Sequence, residues 1–69
     1  MSKKNLSEFS EGNLRAVVFF DSQHQSFGVD FFENHSIIKT EMYPNKSIFW
    51  SEDAAENWVF GFKKVVDGA

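Results

Sequence analysis

Apolar side chains along this chain fall into three extended runs followed by one helical stripe. Leu14 to Phe20 is almost wholly apolar and partly β-branched, which suits a strand. Alternation splits it into Leu14, Ala16, Val18 and Phe20 on one side and Arg15, Val17, Phe19 and Asp21 on the other. Asp21 to Ser26 is polar and reads as a loop. Phe27–Glu33 and Ser36–Tyr43 then read as a hairpin around Asn34-His35, because Asn accepts the left-handed backbone that a tight turn requires.

A two-residue turn sets the pairing. Glu33 is expected opposite Ser36, Phe31 opposite Ile38, Asp30 opposite Lys39 and Phe27 opposite Met42. The Asp30–Lys39 pair is attractive. The same register gathers Phe27, Val29, Phe31, Ile38 and Met42 on one face, with Thr40. The other face receives Gly28, Asp30, Phe32, Ile37, Lys39, Glu41 and Tyr43.

Pro44-Asn45-Lys46 closes the third strand. Ser47 and Ser51 are alternative caps for a helix running to about Val66, with Glu52 and Asp53 suited to its positive start and Lys63 and Lys64 to its negative end. Ala54, Ala55, Trp58, Val59, Phe62, Val65 and Val66 share a sector of about 140° on that helix, and this stripe is expected to pack. Phe49 and Phe60 fall on the outward side. The expected fold is α+β: a three-stranded antiparallel sheet packed on one C-terminal helix (βββα), in two layers over residues 14–69. Residues 1–13 carry only Leu6 and Phe9 as sizeable apolar groups beyond the first Met, and are expected to form a mobile N-terminal arm.

Composition narrows the function classes. The chain has 69 residues, no Cys and 17% aromatic content, so aromatic bulk must do what disulfides or thiolate–metal sites do elsewhere. The lack of Cys agrees with a reducing compartment. No segment approaches a membrane span, and Lys3-Lys4 is followed by no apolar run of the signal-peptide kind. Net charge is −3, which disfavours a phosphate-binding surface.

The residues also argue against catalysis. His24 and His35 are the only imidazoles and sit in expected turns, whereas zinc sites need three or four convergent ligands. There is no nucleophile motif, the glycines are too scattered for a phosphate cradle, and Asp53 and Glu56 lie on a solvated helix face. No enzyme activity, cofactor or metal is expected.

The run Ser51-Glu-Asp-Ala-Ala-Glu-Asn-Trp-Val-Phe-Gly61 resembles the "AEDAAENW" helix of small proteins of tailed phages of marine cyanobacteria. There too it follows a hairpin and a Lys-Ser segment, here Lys46-Ser47. The resemblance spans about residues 27–63, with Ser51 where that pattern begins with Ala. It implies a phage origin, action in the host cytoplasm and no assigned activity. Ala55-Glu56-Asn57 is also similar to the helix start of YegP-like domains, which carry strands before a helix. A Gly tends to follow that triplet, and this chain has Trp58 there.

The expected function is therefore a small non-enzymatic binding module. The sheet face away from the helix should keep Val17, Phe19, Phe32, Ile37 and Tyr43 as apolar anchors, with Arg15, Lys39 and Glu41 as a rim and Phe60 as a separate exposed contact. Contiguous apolar surface of this kind marks an interaction site, for a host protein or for a second copy in a symmetric dimer. The alternative occupant is the N-terminal arm itself, through Leu6 and Phe9. The competing function is single-stranded nucleic-acid binding by stacking on Phe19, Phe32 and Tyr43, against which stand Asp30 and Glu41.

Overall fold

The computed structural model describes the backbone of residues 3–68 and the side chains of residues 3–60. It is an α+β fold with an antiparallel sheet packed on a C-terminal helix, but the sheet has four strands in the order β1-β2-β3-β4. The strands are β1 (Lys3–Glu11), β2 (Leu14–Asp21), β3 (Ser26–Glu33) and β4 (Ser36–Tyr43), and the helix is α1 (Ile48–Gly68). The segment expected as an arm is thus an edge strand, paired with β2 along its length. It stayed hidden in the sequence because an edge strand over a helix needs little apolar surface. Here only Phe9 packs against the core, and the neighbouring positions are polar.

The turns follow local backbone chemistry. Gly12 takes φ 61 at the first position of the β1–β2 turn, and Asn34 and His35 take φ 53 and 71, the pattern of a type I′ hairpin. These two turns lie side by side. The Asn34 N–H donates to the Asn13 carbonyl at 2.9 Å, and Asn13 Nδ2 donates to Asn34 Oδ1 at 3.1 Å. At the other end, Asp21 Oδ1 accepts the N–H groups of Gln23 and His24, closing the β2–β3 loop.

Both edge strands carry a bulge, and each bulge exchanges the faces of the strand beyond it. On β1 the register jumps between Asn5 and Ser7, leaving Leu6 as the extra residue. Ser7 and Phe9 therefore stand opposite Val18 and Ala16 on the helix side, while Lys3 and Asn5 pair with Asp21 and Phe19 on the outer side. On β4 the expected pairing survives only next to the turn, at Glu33–Ser36 and Phe32–Ile37. Beyond it Phe31 faces Lys39, Asp30 faces Thr40, Val29 faces Glu41, Gly28 faces Met42 and Phe27 faces Tyr43, with Ile38 as the extra residue.

The Asp30–Lys39 pairing is thereby corrected. Asp30 has a better partner in Lys3, whose Nζ lies 2.8 Å from Oδ2, and it also accepts a hydrogen bond from Thr40 Oγ1 at 2.6 Å. With β1 in the sheet, Lys39 is not needed as a counter-charge. The slip moves Tyr43 to the helix side of the sheet, where it packs against the core, and moves Met42 to the outer side. Burial of one aromatic ring outweighs a single exposed charge pair.

The core is built from Ala16, Val18, Val29, Phe31, Ala55 and Val59, with Phe9, Tyr43, Ile48, Trp58 and Phe60 packed around it. Trp58 meets Phe31 edge-on at 5.0 Å. The helix crosses β1, β2 and β3, and its approach is close because the residues facing the sheet are small: Ser51 and Ala55 are fully buried. Helix positions 62, 65 and 66 of the expected stripe lie outside the described side chains.

Candidate functional site

The outer sheet face does not present the anchors expected of it. Val17 and Phe19 are on that face but buried, Phe19 to 1% exposure. The reason is Gly28, which stands opposite Phe19. With no side chain at Gly28, the Phe19 ring lies against the sheet. A Cβ built at Gly28 would come within 2.6 Å of Phe19 Cζ. The Lys3 ammonium then covers the ring from 4.2 Å. The N-terminal segment covers part of the face: Lys3 lies over the Phe19 ring and Leu6, 40% exposed, shares a shallow cleft with Val17, whereas Phe9 packs on the helix side.

Lys39, Glu41 and Tyr43 belong to the opposite face, carried there by the β4 bulge. They form a polar row: Lys39 Nζ meets Glu41 Oε2 at 3.1 Å, and the Tyr43 hydroxyl donates to Glu41 Oε1. That hydrogen bond, then Lys39, holds the Glu41 carboxyl below its usual range. Desolvation, then Glu41, raises the Tyr43 phenol above its usual value. Phe60, expected outside, is partly buried against the core. Of the expected outer set, Arg15, Phe32 and Ile37 remain accessible. Arg15 is paired with Glu8 and lies 4.9 Å over the Phe32 ring.

Among the described residues, the most exposed aromatic side chains lie elsewhere, at the start of α1. Asn45 turns the chain with φ 64, Lys46 N–H donates to the Tyr43 carbonyl, and Trp50 N–H donates to the Ser47 carbonyl at 3.1 Å. The helix therefore begins at Ile48 and Ser47 takes the capping position. Ile48 packs inward and Ser51 is fully buried. Three successive apolar residues span about 200° of a helix, so Ile48, Phe49 and Trp50 cannot all face the sheet. Phe49 is 72% exposed and Trp50 55%.

These two rings border an open cleft of about 420 Å3, lined also by Ser47, Glu52, Asp53 and Glu56. Phe49, Glu52, Asp53 and Glu56 are three, four and seven residues apart, hence on one helix face. Ser7 Oγ donates to Glu52 Oε2 at 3.2 Å, tying β1 to the border of the cleft. Asn57 Nδ2 donates to Asp53 Oδ2 at 3.4 Å. The Lys46 ammonium sits 4.5 Å over the Trp50 ring. The helix-start crowding of apolar residues was the available signal for this site. Trp50 escaped it because the Ile48-Phe49-Trp50 stretch also suits an extended piece.

A second cleft of about 390 Å3 lies by the two linked turns, with Arg15, Phe32 and His35 among its walls. His24 contacts Asp21 Oδ2 at 2.9 Å, and this contact holds the Asp21 carboxyl below its usual range. Among the described residues no group of three or more His, Cys, Asp or Glu is placed to hold a metal ion. No helix among them is long and apolar enough to cross a membrane. No protein-family model, curated protein or solved structure matches the chain.

Proposed function

We propose that this chain is a small non-enzymatic protein-binding module whose docking surface is the start of α1. The observation that carries the reading is the adjacent pair Phe49 and Trp50, more than half exposed on a helix held from behind by Ile48, Ser51 and Ala55. Large aromatic side chains dominate binding energy at protein interfaces when a partner covers them. Their helical backbone is already ordered, so less entropy is lost on docking than from a loop. The resemblance of residues 51–61 to the phage helix supports a phage-encoded module acting on a host protein in the host cytoplasm.

The outer sheet face is the weaker candidate. Its accessible apolar groups, Phe32, Ile37 and Met42, are accompanied by Arg15, Thr40 and the Lys3–Asp30 pair. Stacking of nucleic-acid bases loses its platform with Phe19 covered and Tyr43 on the other face. The rings that are exposed stand beside carboxylates, which repel phosphate.

Affinity capture from lysate of the source cells tests this reading. The wild-type chain should retain a partner that the Phe49→Ser/Trp50→Ser variant loses, while the two melt at the same temperature. Equal retention by that variant, or loss caused instead by Ile37→Ser/Met42→Ser, would overturn it.

A further inference from the structure

We infer that the partner of the α1 surface presents a basic segment, with a lysine or arginine side chain seated on Trp50 and Phe49 between the carboxylates of Glu52, Asp53 and Glu56. This rests on the docking surface proposed above and adds the chemistry of what docks there. Charge complementarity carries it. The charged residues lining the cleft are all acidic, and its apolar lining is aromatic. A cation is the group that gains from both, through ring faces and carboxylates together. The molecule already shows half of this interaction: Lys46 Nζ lies 4.5 Å over the Trp50 ring, so that ring accepts an ammonium where solvent competes for it. Among the described residues, Glu52 receives a weak contact from Ser7, at 3.2 Å.

The same charges exclude other occupants. Nucleic acid and anionic lipid headgroups would bring phosphate against three carboxylates. A second copy docked symmetrically would set the acidic rim against itself. Lys46 in turn acts as a placeholder, and an incoming cation must share or displace it.

The test follows the Trp50 indole N–H resonance while hexa-arginine peptide is titrated into the full chain at low salt, with hexa-glutamate as control. The expected result is a saturable shift with hexa-arginine alone, weakening steeply with added salt. Phe49→Ala should weaken binding by about tenfold, as should Glu52→Gln/Asp53→Asn/Glu56→Gln, with the remaining amide spectrum preserved. Lys46→Gln should tighten it by about two- to threefold, since it removes a competing charge. Unchanged affinity in the triple variant, or weaker binding in Lys46→Gln, would overturn the inference. So would a Trp50 signal that hexa-arginine does not move. If, in that last case, the captured partner still requires Phe49 and Trp50, the docking surface stands and only its basic ligand falls.

Discussion

Replacing Gly28 with Ala tests the packing that closes the outer sheet face. Gly28 needs no unusual φ; its role is close approach. An added Cβ would lie 2.6 Å from Phe19 Cζ, 2.7 Å from the Glu41 carbonyl oxygen and 2.9 Å from Met42 Sδ. The Met42 sulfur can swing away. The Phe19 ring can leave only by surrendering its burial and its contact with Lys3. The Glu41 oxygen is backbone, and moving it disturbs the β3–β4 ladder. Overpacking costs typically about 1–3 kcal/mol, and a backbone clash places this case near the upper end. A domain of this size holds roughly 3–10 kcal/mol in all, so about 3 kcal/mol is a large share. It corresponds to a fall in Tm of about 12–24 °C for a domain of this length. Thermal and urea melts followed by circular dichroism measure it. Phe19→Leu in the Gly28→Ala background should recover part of the loss, a non-additive result expected of residues in contact. A Gly28→Ala variant within about 0.5 kcal/mol of wild type would refute the close approach of β2, β3 and β4 around this glycine.

Three further outcomes follow from other parts of the molecule. Ser51 Oγ is fully buried with no hydrogen-bond partner, so Ser51→Ala should stabilise by about 1 kcal/mol in a urea melt, through relief of desolvation and better helix propensity; a loss of stability would show that the hydroxyl is satisfied. Removal of residues 1–12 should unfold the chain, because it exposes the β2 edge and strips Lys3 from the buried Asp30; a cooperatively folded fragment by circular dichroism would contradict the four-stranded sheet. Tyr43 is the only tyrosine, and burial raises its pKa above the ordinary 10.0. The phenol therefore ionises first in the unfolded chain, and stability should be complete below pH about 10 and decline above it. The ultraviolet absorbance of phenolate should stay flat through pH 10 in the native protein and appear with unfolding; phenolate forming at the ordinary pKa without unfolding would contradict the placement of Tyr43.

Much of the architecture could be read from residue order. The spans of β2, β3 and β4, the Asn34-His35 turn and the presence of a closing helix all rest on local chemistry, and local chemistry is what a single sequence encodes. Two misreadings concern the edge strands. Lys3–Glu11 has too few apolar residues to announce a strand, so neither its pairing with β2 nor Lys3 as the partner of Asp30 is legible there. The two-residue turn alone sets Asp30 opposite Lys39, and the attraction of that pair agrees with it. That assignment required an unbroken β4, which placed Tyr43, Glu41 and Lys39 on the wrong face. The bulge at Ile38 brings Tyr43 against a core that β2, β3 and α1 assemble together, and no pattern within β4 signals it. The candidate site was legible in part. Helix geometry alone puts Phe49 outward, whereas Trp50 depends on which serine caps the helix, and Phe60, outward by the same geometry, is partly buried against the core.

On the function proposed above, partners meet this molecule at the start of α1 and not on the outer sheet. Photo-crosslinking in the source cells tests that claim directly, with benzoylphenylalanine placed at position 49 in one variant and at position 37 in another. The account predicts a discrete covalent adduct from position 49 and none from position 37. An adduct formed from position 37, with position 49 silent, would contradict it.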